Sequence, residues 1–304
     1  MTTPTLPRLL PLTPQYRERV WGGQRLHPST SGTPIGEAWI AYGKSVVSGG
    51  PLQGRTLDEL GVGGPGDFPL LIKLLDCADW LSVQVHPNDA QAEAMVGPGM
   101  RGKTEAWHLL QAAPGAELLA GVKEGVTQGQ LTRAIRNGTV LEVAERWPVA
   151  TGDTVFIPAG TLHALGPGLL LYEVQQSSDT TYRVYDWDRP ASSGRALHLE
   201  ESVAVTRTDL HGDLRPQRQT NGQGVLVRSE YFVLEGVRLA EAEAVGRQAE
   251  GFQIVTVTAG RAELTAGGET QRLDTFQTIL VTAGSYSLKA VGGEATLLAA
   301  KLPD

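Results

Sequence analysis

The chain has 304 residues and a formal net charge of −7, and its 26 Lys and Arg residues are scattered along the sequence. These values exclude the basic footprint that nucleic-acid binding requires, while the length and the apolar content of 41% suffice for one large domain or two ordinary ones. The single cysteine, Cys77, excludes an intrachain disulfide and favours a reducing compartment, so we expect a cytoplasmic protein. No apolar run approaches ~20 residues, and we therefore expect no signal peptide and no membrane span.

Short apolar and aromatic runs, separated by 37 glycines and 18 prolines, predict a mainly β protein of the sandwich or barrel type. We expect strands at 35–42 and 68–75, and the second is so apolar on both faces that it should be buried. Lys73 interrupts that second run. A short helix is expected next, because Asn88 or Asp89 can cap the segment that follows.

The main helical segment is predicted within an insertion at about 123–146. Thr127 and Gln130 have the spacing of a capping box, an apolar stripe follows, and Gly138 is placed to end the helix. Strands are expected to resume at 156–173. The pattern therefore indicates a small helical insertion in a β domain.

A polar, glycine-containing stretch at 208–224 indicates a linker. We accordingly predict one domain at 1–220 and a smaller β domain at 225–304, where polar and apolar residues alternate between Gly-Gly turns. The second domain has no histidine, since the last one in the chain is His211. We therefore expect it to hold no metal ion through imidazole.

Two separate segments alternate with period two and carry groups that bind metal ions. Ser82, Gln84 and His86 would share one face of a strand, and Lys103 and Glu105 would share one face of another. A buried row of polar groups has to be hydrogen-bonded or metal-bound, which favours function over chance at these positions.

A third segment contains Gly152, Pro158, Gly160 and His163, so that a glycine turn opens an apolar strand and a Pro-x-Gly bend directs the imidazole. Together with the two preceding segments it offers two imidazoles, a carboxylate and an amide, which would suit a divalent metal ion. A lone histidine is more often a hydrogen-bonded core or surface residue, and that interpretation is kept for the four remaining histidines, His27, His108, His198 and His211.

The spacing of Gly152, Pro158, Gly160 and His163 resembles the second motif of the cupin superfamily, although Pro167 stands where that motif usually ends in Asn. The first cupin motif normally contains His-x-His and a nearby Glu. Here a glutamine replaces the first histidine and the glutamate comes later in the chain.

That departure, Gln84-x-His86 with the later Glu105, resembles the type I mannose-6-phosphate isomerases, and most closely their short bacterial form. The resemblance is strong over residues 1 to about 210 and weaker beyond. The other segments that carry it lie at 21–23, 36–39, 68–75, 81–89, 102–107 and 175–189.

The resemblance implies two cupin-like barrels of the double-stranded β-helix or jelly-roll type, of which only the first, catalytic one binds metal. It also implies a zinc-dependent aldose–ketose isomerase that interconverts mannose 6-phosphate and fructose 6-phosphate through an enediolate. One Zn²⁺ per chain would be bound by Gln84, His86, Glu105 and His163. The partner would be a small sugar phosphate, and the chain is expected to be a monomer or a weak homodimer.

By the same resemblance Arg183 is the catalytic arginine, and Lys73, Ser82 and Lys103 belong to the substrate pocket. We place Glu173 in that pocket as well, and we predict that Lys103 or Glu173 takes part in proton transfer. Some family members have a proton-carrying histidine where this chain has a glycine, so the base stays open.

Non-functional interpretations of two of these residues also remain open at this point. Arg183 could form a surface ion pair with Asp186 or Asp188, and Lys73 could form a salt bridge with Asp76 or Glu37.

Two other functions compete with the isomerase. Cupins with a His and Glu metal site also include iron-dependent dioxygenases, but the amide at Gln84 and the lysines suited to phosphate argue against one. A non-catalytic sugar-binding cupin is the third possibility, because a fold alone fixes no activity. Loss of a ligand or of Arg183 would mark it, and neither is missing.

Overall fold

The computed structural model describes residues 6–64, 66–190 and 195–303. Strands contain 46% of the residues and helices 13%, which confirms the prediction of a mainly β protein. Within the described ranges, no helix combines the length and the apolarity needed to cross a bilayer.

The described strands and helices follow one another along the whole chain. The strands are β1 (Leu9–Leu12), β2 (Gln15–Gly23), β3 (Ile35–Ala41), β4 (Leu70–Cys77), β5 (Val83–Val85), β6 (Glu105–Ala112), β7 (Glu117–Val122), β8 (Ala144–Pro148), β9 (Thr154–Ile157), β10 (His163–Leu165), β11 (Leu169–Gln176), β12 (Tyr182–Tyr185), β13 (Asp213–Arg215), β14 (Gly224–Arg228), β15 (Val233–Leu239), β16 (Ala244–Ala259), β17 (Ala262–Ala266), β18 (Glu269–Leu273), β19 (Thr278–Ala290) and β20 (Ala295–Lys301). The α-helices are α1 (Leu57–Leu60), α2 (Asp89–Met95), α3 (Gln128–Asn137), α4 (Val140–Val143), α5 (Leu199–Val205) and α6 (Gln217–Thr220), with a 3₁₀ turn at Gly50–Leu52.

The described residues group into two compact units. The first unit draws on Met1–Gln15, Trp39–Ile72 and Thr220–Asp304, and the second on Tyr16–Ala38 and Lys73–Gln219. All the residues expected to form the functional site belong to the second unit. The predicted functional division at 1–220 and 225–304 stays a prediction.

The first unit is built on an eight-stranded antiparallel sheet. Its strand order is β14-β15-β20-β16-β19-β17-β18, and β1 pairs with β19. The alternation expected over 225–304 buries one side of these strands in a single apolar cluster that includes Leu264, Ile279, Leu288 and Leu297. Such burial stabilises the sheet by roughly 25 cal/mol for each Å² of apolar surface removed from water.

Most residues of the other two sheets belong to the second unit. One sheet has the order β12-β5-β10-β7-β8, and the other has the order β13-β9-β6-β11-β4-β2-β3 with an additional β4–β3 pairing. Leu118 and Leu165 of the first of these sheets share a buried cluster with Trp107, Leu109 and Leu171 of the second. The two sheets therefore pack face to face, as in a β-sandwich.

The strand pairing of the described residues closes neither sheet into a barrel, so the predicted cupin-like barrels are not confirmed. In the sheet β12-β5-β10-β7-β8, for example, β8 and β12 each pair with one described strand and therefore remain open edges.

The helical insertion forms α3 and α4, which lie between β7 and β8. Thr127 accepts a hydrogen bond from the backbone of Gln130, whose side chain in turn accepts one from the Thr127 backbone, so the expected capping box is present. Gly138 ends α3 in the left-handed region at φ 71°, which a residue without Cβ adopts easily. The helical part ends at Val143, because β8 pairs with β7 from Ala144 onward.

We expect Thr127→Ala to lower the free energy of unfolding by about 1 kcal/mol, because the backbone N–H of Gln130 loses its acceptor and the Gln130 side chain loses the bond from the Thr127 hydroxyl. Thr139→Ala is the matched control, since Thr139 precedes α4 at an exposed position without a side-chain cap bond, and it should change stability little. Urea denaturation of both variants measures the difference. Equal losses would contradict the capping role.

Candidate metal centre

The centre begins with the register of three neighbouring strands. His163 of β10 lies directly opposite Gln84 of β5, and Gln84 lies opposite Arg183 of β12. Residues directly opposite one another in a sheet project from the same face, so these three side chains form one row. The sequence motifs at 80–86 and 152–163 are thus joined by backbone pairing.

The carboxylate comes from the facing sheet, where Glu105 opens β6, while His86 lies just after the end of β5. Glu105 Oε2 lies 3.5 Å from His86 Nε2, and Oε1 lies 3.3 Å from His163 Nε2. All three side chains are buried, and their ligand atoms lie within 4.8 Å of one another. The structure therefore brings together three residues that the sequence placed in separate segments.

Backbone carbonyl groups orient both imidazoles. His86 Nδ1 lies 3.0 Å from the oxygen of Thr180, and His163 Nδ1 lies 2.8 Å from the oxygen of Thr161. Because a carbonyl only accepts, each Nδ1 carries the hydrogen and each Nε2 keeps its lone pair toward Glu105. This is the arrangement that a metal-binding histidine requires.

Burial keeps both imidazoles neutral. It lowers the pKa of His86 well below the usual value, and the charge of Lys103 lowers it further. Burial also lowers the pKa of His163, although the Glu105 carboxylate partly offsets that effect. Neutral imidazole is the form that binds metal, so both residues are ready to ligate at neutral pH.

Several buried polar atoms at this point lack a hydrogen-bond partner among the described residues. They are His86 Nε2 and both carboxylate oxygens of Glu105. Lys103 Nζ lies 2.9 Å from Glu105 Oε2 and forms an ion pair with it. Leaving such atoms unsatisfied costs about 1–3 kcal/mol each, and a divalent cation would satisfy all three. The residues present fit a metal ion.

Gln84 completes the polar row beside the imidazoles. Its side-chain nitrogen lies 3.2 Å from His163 Nε2, and its side-chain oxygen accepts a long hydrogen bond of 3.4 Å from Ser82. Rotating the amide by half a turn would place the oxygen at the same point as the nitrogen. Gln84 is therefore placed to act as a fourth ligand.

Lys73 and Glu173 form a buried ion pair next to the centre. Lys73 Nζ lies 2.9 Å from Glu173 and 2.7 Å from the side-chain oxygen of Gln175, and Trp107 Nε1 donates to the other Glu173 oxygen at 3.1 Å. A direct salt bridge of Lys73 to Asp76 is wrong, because Asp76 accepts hydrogen bonds from Arg25. The actual partner lies 100 residues along the chain from Lys73.

Charge pairing outweighs burial in this ion pair. Burial by itself would lower the pKa of Lys73, but the charge of Glu173, together with those of Glu37 and Asp179, raises it above its usual value. Burial would likewise raise the pKa of Glu173, and the charges of Lys73 and Lys103 lower it instead. Both groups are therefore ionised at neutral pH.

Three residues that hold the side chains of this site were not predicted from the sequence. Trp107 and Gln175 hold Glu173 and Lys73, and the carbonyl of Thr180 holds His86. Period-two alternation contained a signal for the first two, since Trp107 is two residues from Glu105 and Gln175 is two residues from Glu173. The carbonyl of Thr180 left no signal, because every residue has one.

A cavity of about 460 Å³ lies beside the centre and is lined by Gln84, Trp107 and the Lys73–Glu173 pair. Its charged lining includes Lys73, Lys103, Glu173, Asp179, Arg183 and Arg195. Such a wall suits a polar, charged small molecule rather than an apolar one.

Arg183 is half-buried and lines that cavity. Its Nη1 donates to the carbonyl of Ala196 at 2.7 Å, and its Nε has no hydrogen-bond partner in the described chain. Burial lowers its pKa, and the positive charge of Arg195 lowers it further. The alternative of an ion pair with Asp186 is wrong, because that carboxylate accepts its side-chain hydrogen bonds from Arg189 and Arg195.

His108 is a hydrogen-bonded core residue, as expected for a histidine that stands alone in the sequence. Its Nδ1 lies 2.9 Å from the hydroxyl oxygen of Thr154, and the side chain is buried. Burial lowers its pKa from 6.5 to about 4, and the charge of Asp153 opposes that shift only partly. His108 therefore stays neutral in the folded chain while it is protonated in the unfolded chain below pH 6.5.

Acidification from pH 7 to pH 5 should cost less stability in His108→Gln than in the parent chain, by about 2 kcal/mol. The sign follows because only the unfolded state binds the proton over this range. Denaturant titrations at the two pH values give the comparison, with the exposed His27→Gln as control. An unchanged pH dependence in His108→Gln would show that His108 does not contribute.

Comparison with known proteins finds mannose-6-phosphate isomerases. The family model described as the catalytic domain of type I phosphomannose isomerase matches residues 9–104. A mannose-6-phosphate isomerase of Streptococcus mutans is 37% identical over 85% of this chain and 87% of its own length. The mannose-6-phosphate isomerase ManA of Bacillus subtilis is 35% identical over 84% of this chain and 86% of its own length.

Solved structures give the same grouping. The crystal structure of a mannose 6-phosphate isomerase from Bacillus subtilis matches with a TM-score of 0.83 and 31% identity, over 97% of this chain and all of the other. A zinc-bound mannose 6-phosphate isomerase matches with a TM-score of 0.73 at 15% identity, over 97% of this chain and all of the other. At that identity the second match speaks for the fold alone.

Proposed function

The chain belongs to the type I phosphomannose isomerase family, and we propose that it interconverts mannose 6-phosphate and fructose 6-phosphate with the aid of a zinc ion. The observation that carries this proposal is the buried group of His86, Glu105 and His163, whose ligand atoms converge beside a charged cavity. The substrate is accordingly a small phosphorylated sugar.

We propose that one zinc ion per chain is held by His86, Glu105 and His163, with Gln84 as the fourth ligand. The donor set supports this, since two imidazoles, a carboxylate and an amide oxygen all suit zinc. Only one of the four carries a negative charge, so the bound ion would keep a net positive charge. When bound, the ion supplies Lewis acidity that stabilises negative charge on substrate oxygens.

The reaction needs no oxidant and no second substrate. In the aldose-to-ketose direction one proton leaves C2, one is added to C1, and one moves from O2 to O1. The chain therefore has to provide a group that takes a proton, a group that returns it, and positive charge beside the enediolate between the two steps.

We assign the proton transfer to Glu173 or Lys103. Glu173 is supported as a base because it is ionised and fixed on both oxygens by Lys73 and Trp107. Lys103 is supported because its ammonium group lies beside Glu105 and lines the cavity. No imidazole competes for the role at position 102, where this chain has glycine.

The remaining predicted residues would bind and orient the sugar. Arg183 would act as the catalytic arginine, because its planar fork is always charged and its Nε, which has no hydrogen-bond partner among the described residues, can donate either to the enediolate oxygens or to the phosphate. Ser82 and Lys73 would hydrogen-bond substrate oxygens, since both line the cavity.

A coupled assay of mannose 6-phosphate isomerisation, run with and without a chelator, tests the proposal. We expect turnover that a chelator abolishes and that added Zn²⁺ restores. Glu105→Gln should lose metal, as measured by elemental analysis of the folded variant. Oxygen uptake with iron would instead support a dioxygenase, and sugar binding without turnover would support a non-catalytic cupin.

Exchange of the sugar C–H proton with solvent deuterium separates the two candidates for proton transfer. Loss of the transferring group should lower the exchange rate by about 100-fold or more, so we expect this of Lys103→Met or of Glu173→Gln. Lys123→Met is the control, because the side chain of Lys123 is exposed and, among the described residues, donates only to the carbonyl of Glu142. If both site variants exchange at the parental rate, the assignment is wrong.

Finer features accompany this proposal. We propose that the sandwich of the second unit is a cupin-type double-stranded β-helix, which is supported by the face-to-face sheets that position His86, Glu105 and His163. A second cupin-like domain without metal, a cytoplasmic location, and a monomer or weak homodimer stay predictions.

A further inference from the structure

We propose that Arg195 binds the phosphate group of the substrate and that Asp186 positions it. This inference rests on the proposed function, in that it names the residue by which a sugar phosphate would be told from a free sugar. It follows from three features of the cavity: the way Arg195 is held, the segment that holds it beside Arg183, and the distribution of charge.

Arg195 is fixed along one edge of its guanidinium group. Its Nε and Nη2 donate to the two oxygens of Asp186 at 2.7 and 3.0 Å, a paired geometry that sets the plane of the group. Arg195 also lines the cavity, and its Nη1 donates to no residue in the described ranges. One edge of the guanidinium group therefore binds Asp186, and the Nη1 side can donate to a ligand in the cavity.

Asp186 is itself immobilised. It is buried and accepts a second arginine, Arg189, which also donates to the carbonyl of Trp80 and to Asp79. The following residue, Trp187, has φ 56° and donates its indole N–H to the carbonyl of Leu81. Backbone in the left-handed region is costly for such a residue and persists only where surrounding contacts enforce it, as at binding sites.

The segment that begins with Arg195 is docked on Arg183. Besides the bond from Arg183 Nη1 to the Ala196 carbonyl, the Arg183 N–H donates to His198 Nδ1 at 3.2 Å, and the His198 N–H donates to the Arg183 carbonyl at 2.8 Å. The two guanidinium groups consequently lie close enough for the charge of Arg195 to lower the pKa of Arg183. Two neighbouring cations of this shape suit a phosphate, which accepts from both.

Arg183 is the one cation in the cavity lining that joins no ion pair within the described residues, and it lies near Arg195. Lys73 is paired with Glu173, Lys103 with Glu105, and Arg19 with Glu37. Arg195 is paired with Asp186, and Arg189, which shares that carboxylate, is also paired with Asp79. A phosphate monoester, which carries about −1.5 to −2 charges at pH 7, finds its complement beside Arg183.

The placement also agrees with the shape of the substrate. His163, Gln84 and Arg183 lie on three successive strands, which are spaced by about 4.8 Å, so the arginine end is roughly 10 Å from the strand of His163. In a hexose 6-phosphate the reacting carbons and the phosphate are at opposite ends of the molecule. A ligand bound at both places would span the cavity.

The test compares Arg195→Gln and Arg195→Lys with the parent chain. We expect KM for mannose 6-phosphate to rise by about 10- to 100-fold in Arg195→Gln, the effect of losing a hydrogen bond between charged groups, with kcat changed by less than about 3-fold. The KM of Arg195→Lys should lie between that of the parent chain and that of Arg195→Gln, since lysine keeps the charge but lacks the paired N–H donors of a guanidinium group. Asp186→Asn should raise KM in the same sense.

Direct binding of inorganic phosphate by calorimetry separates this inference from the proposed function. We expect the phosphate affinity of the folded Arg195→Gln chain to fall by the same factor, while Arg136→Gln, an exposed arginine paired with Glu200, binds like the parent. Absence of turnover in the parent chain would remove the isomerase, yet the calorimetric comparison would still decide the role of Arg195.

Parental phosphate affinity in Arg195→Gln would overturn the inference. If the melting temperature of that variant were lowered as well, Arg195 would serve only to hold Asp186. If Arg195→Gln does not fold, Arg195→Lys decides by the same two measurements.

Discussion

The second unit depends on a buried carboxylate whose charge is only partly met by the protein around it. Glu105 faces two neutral imidazoles and one ammonium group, and neither of its oxygens accepts a hydrogen bond from the described residues. A charge placed in a low-dielectric interior on such terms is expensive unless a further cation shares the space. A divalent cation bound at this point would offset that cost.

The two sheets divide the chemical tasks between them. The sheet that contains β5, β10 and β12 presents Gln84, His163 and Arg183 in one row, while the facing sheet contributes Glu105 and the Lys73–Glu173 pair. The candidate metal ligands thus come from both sheets, and the ion pair lies on one sheet only. Face-to-face packing through residues such as Trp107 is what brings the two sets within reach.

Much of this centre could be predicted from sequence, because period-two alternation in a strand fixes which side chains share a face. That rule sufficed for Gln84 with His86 and for Lys103 with Glu105, and the motif ending at His163 supplied the rest. It could not give the partner of Lys73, since Glu173 lies far along the chain and only the order of strands brings it near. Whether a sheet closes into a barrel is equally hidden, because closure depends on pairing between strands rather than on any one segment.

The imidazoles of His86 and His163 are oriented by main-chain carbonyls, at Thr180 and Thr161, rather than by side-chain carboxylates. Every amino acid carries such a carbonyl, so replacements at either position leave the acceptor in place as long as the backbone path is kept. The direction of the two rings therefore depends on loop geometry and not on residue identity. A substitution at Thr161 or Thr180 that keeps the backbone path would leave both nitrogen lone pairs where they are.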